Sequence, residues 1–247
     1  MVYVVSRIFT LDFIYLDLLF CLIWIIILIR KKYYFQLLTG LFGFCVVFFT
    51  DDVIWYLRQG VRQFHEIPFN EHLFLLYLSF TYGMIEFSYV AVMFSARNWK
   101  KMLFWTSLLF VGWFTIGFLS KFIHLDDRVI HISRDMAEAG NRWSQLALTL
   151  AGYLALIILK YTWKPFKNLT WLKLGYLFLV GFLVHFAMEI TLLSAGIRPL
   201  AEGSFGVLIF NSLIEFNMGI PPLFFGWIML KDRTVSTGRE EEKISWI

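Results

Sequence analysis

The chain has 247 residues, 59% of them hydrophobic, 20% aromatic and only 16% charged, with a formal charge of +4. Soluble domains carry about 25% charged residues, so this composition excludes one and points to an integral membrane protein. The small positive charge is what basic cytoplasmic loops produce, so no nucleic-acid partner is implied, and Cys21 and Cys45, both inside apolar runs, exclude an extracellular disulfide framework.

Apolar runs of span length lie at 9–29, 34–57, 73–95, 102–120, 144–162, 171–195 and 205–230. Each is close to the roughly 20 residues a helix needs to cross about 30 Å of hydrocarbon. The expected fold is an all-α integral membrane protein, a bundle of seven transmembrane helices, with one domain over 1–233 and a polar cytoplasmic tail over 234–247. The first run lacks a small-residue cleavage site and is expected to be a retained span. Arg30 to Lys32, Arg97 with Lys100 and Lys101, Lys160 with Lys164, Lys167 and Lys173, and Lys231 with Arg233, Arg239 and Lys243 fall on one side. Arg7, Arg58, Arg62, Lys121, Arg128, Arg134, Arg142 and Arg198 fall on the other, mostly interleaved with acids. The positive-inside rule then places the N-terminus outside and the C-terminus in the cytoplasm of a multi-pass protein of the plasma (inner) membrane.

The connection from Ser120 to Asn141 mixes Ile123, Leu125, Val129, Ile130, Ile132 and Met136 with charges, which predicts an interfacial helix between spans 4 and 5, placed to serve also as a lid. Helix starts are expected at Thr10 to Asp12, Pro68 to Glu71, Asn141 and Gly203-Ser204, where capping oxygens or glycine precede apolar runs. Pro221-Pro222 inside the seventh run predicts a kink that leaves carbonyls unpaired, and at membrane depth these must be buried in protein or line a wet cavity. No internal repeat of the inverted-transporter kind is evident.

Asp51-Asp52, inside the second run, is the focus of the polar pattern. A carboxylate in a span costs roughly 2.5–3.5 kcal/mol on insertion scales, so it needs a partner, water or a proton. Asp17, Glu86, His185 with Glu189, and Asn211 with Glu215 are the candidates from other spans. Tyr82 and Glu86, His185 and Glu189, and Asn211 and Glu215 are each spaced to share one helix face. At about 1.5 Å per residue the acids lie from ~8 Å (Asp52) to ~20 Å (Glu86) below the outer surface. The inner halves offer mainly Thr39, Ser88, Ser95 and Thr106, so the acids are expected to meet in one chamber closed toward the cytoplasm. Asp51, Asp52, Glu86, His185, Glu189 and Glu215 are the expected catalytic groups, and Asp17, Trp55, Tyr82, Asn211 and Asn217 the expected substrate-binding ones. Plainer readings stand beside these: any one acid can be an interhelical clasp, Asp12 a helix cap, and Asn217 a bond to backbone freed by Pro221-Pro222. His124, Asp127, His131 and Asp135 share a helical face that suits a metal or, more commonly, solvated charge, and His65-Glu66 and Glu71-His72 lack zinc-protease spacing. No metal and no cofactor are expected.

Several carboxyls in one low-dielectric pocket separate into a protonated acid and an ionised partner, here one bonded to His185. With aromatic faces beside them, this suits protonation of a double bond or epoxide, followed by cyclisation or isomerisation. The expected function is therefore an intramembrane enzyme acting on a hydrophobic isoprenoid or lipid, its partner a membrane lipid or hydrophobic small molecule. The alternatives are a proton- or cation-coupled transporter or channel using the same carboxylates, and a non-catalytic membrane subunit or ligand-binding protein. In size, span count and the acids at Asp51-Asp52 and Glu215, the chain resembles the small seven-span terpene cyclases of meroterpenoid pathways, without their tryptophan–glutamate motif. In His185, Glu189 and Glu86 it resembles the emopamil-binding sterol isomerases, which have fewer helices. Both resemblances imply acidic residues working on a lipid-soluble substrate. The seventh run has no lysine for a retinal Schiff base, and the chain has no receptor-type Asn-Pro-x-x-Tyr or Asp-Arg-Tyr.

Overall fold

Long apolar runs with few breakers fold as helices here. The computed structural model describes residues 4–96, 98–135, 139–199 and 204–236. Its helices are α1 (Leu11–Arg30), α2 (Tyr34–Phe48), α3 (Glu71–Ser95), α4 (Trp99–Leu119), α5 (Ala139–Thr162), α6 (Trp171–Ser194), α7 (Ser204–Ile214) and α8 (Ile220–Ser236). Thr10, Asn70, Asn98 and Thr170 cap α1, α3, α4 and α6 by accepting backbone N–H groups of the first turn. Of the described residues 75% are helical, and six stretches among them are long and apolar enough to cross a membrane: Leu11–Arg30, Tyr34–Arg58, Glu71–Ser95, Trp99–Leu119, Trp143–Thr162 and Trp171–Ser194. Arg97, Met136, Gly203, Arg239, Lys243 and the tail from 237 onward lie outside the described residues, as do the side chains of Asp135, Asn141, Arg142, Lys231 and Arg233.

Two elements depart from expectation in the helical runs. After Phe48 the second span continues as a π-helix, Phe49–Arg58, whose wider turns carry Asp51 and Asp52; such segments are rare and often mark functional sites. The run 205–230 is divided rather than kinked: α7 stops at Ile214, residues 215–219 form a turn, and α8 starts at Ile220. Pro221-Pro222 therefore stand in the first turn of α8, where their missing N–H groups would have had no intrahelical partner.

The segment expected as an interfacial helix between spans 4 and 5 is instead a strand over Val129–Asp135, and this corrects the helical reading. This strand, β3, lies between β1 (Val4–Thr10) and β2 (Arg62–Glu66) in an antiparallel sheet of order β1-β3-β2. Its β-branched residues and its period-two alternation of Ile130, Ile132 and Arg134 against His131 and Ser133 suit a sheet with one face buried. Ile8 N–H also donates to Ile197 O (2.8 Å), so the segment after α6 joins the same end of the bundle.

α3 is the central helix: 83% of its span is buried, against 17–56% for the other spans. α2 packs on it backbone to backbone through Gly40, Gly43 and Gly83; a Cβ at Gly83 would stand 2.5 Å from Phe44 N. The end away from the sheet is filled with aromatic rings: Trp24 against Trp105 (4.9 Å between centroids) and Phe94 against Phe224 (5.3 Å). Trp24 Nε1 donates to Ser88 Oγ at 2.8 Å. Exposed Leu19, Ile23, Ile26, Leu38, Val111 and Phe114 surround the bundle, a surface only hydrocarbon would cover.

Candidate functional site

The sheet caps the bundle with an inner face that alternates apolar and cationic. Ile130, Ile132, Phe9 and Phe64 lie on it, and so do Arg7 from β1, Arg62 from β2 and Arg134 from β3. On the outer face Ser6 bonds His131 (2.8 Å) and His65 bonds Ser133 (2.7 Å). Each inner arginine meets a carboxylate from the bundle. Arg62 Nη2 lies 2.5 Å from Asp51, Arg7 Nη2 2.8 Å from Glu189 Oε1, and Arg134 Nη2 2.8 Å from Glu215 Oε1. The second oxygen of Glu189 is held by Arg198. Burial pushes the Arg62 guanidinium below its usual range; Asp51 opposes this, while Arg134 and Arg7 add to it.

Beneath the arginines lies a cavity of about 210 Å³. Asp51 and Trp55 reach it from the π-helix, Tyr82 and Glu86 from one face of α3, His185 from α6, and Glu215 from the break after α7. Gln145 of α5 completes the polar part. The remaining wall is apolar, with Leu78, Phe87, Met188, Phe216 and Leu223 facing Val46 and Val47. Val46 is exposed, and Val47, Thr50, Phe216, Met218 and Leu223 are half-buried, so the mouth of the cavity is a mostly apolar rim on the side of the bundle.

His185 Nε2 sits between two acids, 3.3 Å from Glu215 Oε2 and 3.7 Å from Glu189 Oε1, close enough for charge pairing but without hydrogen-bond geometry. Glu86 differs from Asp51, Glu189 and Glu215. Its Oε1 is buried with no hydrogen-bond partner among the described residues, and the same holds for Tyr82 Oη, one turn away.

The structure thus brings together Asp51, Trp55, Tyr82, Glu86, His185 and Glu215, with Glu189 immediately behind them. It places the other expected residues elsewhere. Asp52 is turned toward the start of α3, where His72 Nδ1 lies 2.6 Å from its carboxylate. Asp17 is enclosed between α1, α3 and α4, accepting from Tyr77 Oη (2.9 Å) and Trp113 Nε1 (3.2 Å). Asn211 is buried on α7, outside the cavity lining, with no partner for its amide among the described residues. Asn217 accepts from Tyr153 Oη (2.8 Å) and donates to Phe178 O and Leu213 O, so it ties α5 and α6 to the α7–α8 turn rather than serving carbonyls freed by the prolines. Asp12 is not the cap of α1; it accepts the N–H groups of Leu125 and Asp126 and anchors that connection.

Sequence reading missed Arg7, Arg62, Arg134, Arg198 and Gln145. The signal for the first three was the alternation of Arg62 with Phe64, Arg7 with Phe9, and Ile130 and Ile132 with Arg134, which is a strand period. No protein-family model, curated protein or solved structure matches the chain.

Proposed function

We propose that the protein is an intramembrane enzyme performing acid/base chemistry, a cyclisation or isomerisation, on a hydrophobic isoprenoid or lipid. The observation that carries this reading is the contrast between Glu86 and its neighbours. Asp51, Glu189 and Glu215 are each held by a guanidinium, whereas Glu86 has a buried oxygen with no hydrogen-bond partner among the described residues, in a cavity whose wall is largely apolar. A carboxyl with no guanidinium paired to it among the described residues is the one suited to carry a proton and deliver it to a double bond or epoxide. His185, set between Glu215 and Glu189, receives the proton lost when the new double bond forms, so the conversion is proton-neutral overall. Trp55, Phe87 and Phe216 supply ring faces for the cationic intermediate. The apolar rim supports entry from the bilayer.

In this reading α7 and α8 together make a seventh crossing, the N-terminus and sheet face outward in the plasma membrane, and the cavity lies in the outer half. Transport by the same carboxylates is the weaker alternative, because Trp24, Trp105, Phe94, Phe166 and Phe224 fill the inner half. The test compares lipid extracts of cells with and without the protein. Glu86→Gln is expected to abolish the new product while the purified variant melts at the parent temperature. Full conversion by that variant would refute the assignment.

A further inference from the structure

We propose that the lipid taken by this cavity is anionic: a single-chain lipid whose phosphate-type head group docks on Arg7, Arg62 and Arg134 while its chain lies along the apolar wall. The inference deepens the enzymatic reading and rests on it for the lipid nature of the ligand.

The first argument is repulsion. Arg62 and Arg134 are directly opposed in the β2–β3 register and point to the same buried face, at 4% and 7% exposure. Like charges directly opposed across strands destabilise a sheet. Burial, Arg134 and Arg7 weaken the hold of Arg62 on its proton, against the opposing pull of Asp51. An anion between the guanidiniums removes the conflict.

The second argument is unused donor capacity. The carboxylate contacts of Arg7 and Arg62 use a terminal nitrogen, and the Nε–H of each is buried without an acceptor among the described residues. Guanidiniums converging from three strands suit the tetrahedral oxygens of a phosphate, which accept from several donors at once. A second planar carboxylate would only repeat what Asp51 and Glu189 already supply.

The third argument is position: the arginines belong to the sheet at the end of the bundle, where head groups lie in a bilayer, and the apolar wall runs from them toward its interior.

The experiment uses the full chain in neutral-detergent micelles and follows thermal stabilisation and binding by four probes: farnesyl phosphate, farnesol, oleate and inorganic phosphate. Farnesyl phosphate is expected to bind at least about tenfold more tightly than each of the others. Arg134→Gln, and the charge-balanced pair Arg62→Gln with Asp51→Asn, are expected to remove that advantage while leaving farnesol binding unchanged. Equal binding of farnesol would overturn the proposal, as would equal binding of oleate, or of inorganic phosphate, which would mark a soluble-anion site. So would arginine variants that fold and keep the preference. Glu86→Gln should retain farnesyl phosphate binding. Loss of the enzymatic reading, seen as no turnover of any lipid, would therefore leave this preference measurable, and turnover of neutral lipids without any phosphate preference would sink the head-group assignment alone.

Discussion

Asp51 and Asp52 are neighbours in sequence with different tasks. Asp51 pairs with Arg62 at 2.5 Å over the cavity, and Asp52 pairs with His72 at the start of α3. Both partners of the Arg62–Asp51 pair are almost wholly buried, with side-chain exposures of 4% and 7%, so solvent screens their attraction little. Arg62→Ala strands a carboxylate in that environment and is expected to destabilise the protein by about 3–5 kcal/mol. Replacing both by leucine removes the charges together and is expected to cost far less. Chemical denaturation midpoints in micelles compare the two variants; equal losses would mean that packing around Arg62, and not the ion pair, holds the sheet to the bundle. His185 works through a similar economy of position, since one ring nitrogen lies within reach of acids from two different elements.

Among the elements, α3 decides where the chemistry-bearing groups meet. It is the least hydropathic of the six spans, at 1.3, because it faces protein instead of lipid nearly all round. Its contact with α2 depends on missing side chains. A Cβ at Gly83 would lie 2.5 Å and 2.6 Å from Phe44 N and Cα, backbone that no rotamer change can move. Gly83→Ala is expected to destabilise by about 1–3 kcal/mol through forced separation of the helices. Gly175→Ala on α6 meets nothing within 4 Å and is expected to be neutral or to stabilise by up to about 1 kcal/mol. Melting temperatures of the two variants make the comparison, and a Gly83→Ala protein as stable as Gly175→Ala would show that α2 and α3 can part without loss. The break between α7 and α8 serves the cavity in another way. It ends α7 at Ile214 and puts Glu215 on the irregular backbone that lines the cavity.

For the molecule as a whole, the connections that form β1, β2 and β3 gather at one end, as strict alternation of the spans requires. With Cys45 replaced by alanine, Gln63→Cys on β2 is expected to react with a membrane-impermeant maleimide from outside intact cells. Lys100→Cys, at the opposite end, is expected to react only after permeabilisation; the reverse pattern would invert the orientation. The sequence alone determined that the chain is a membrane protein, where most spans run, and which helical acids share a face. Those properties follow from local apolar length and from the 3.6-residue period, and both are properties of short segments. Six of the expected site residues were legible for the same reason: Glu86 with Tyr82, and His185, are set by helix spacing, and Asp51, Trp55 and Glu215 stand out as polar or aromatic groups in apolar runs. The three strands were not legible in this way, because each is short and buries its inner face only when its partners arrive from segments far apart in the chain. Read singly, Arg7, Arg62 and Arg134 are loop cations. Only the tertiary structure turned them inward onto Asp51, Glu189 and Glu215, since pairing between distant strands fixes which side of each backbone faces the membrane.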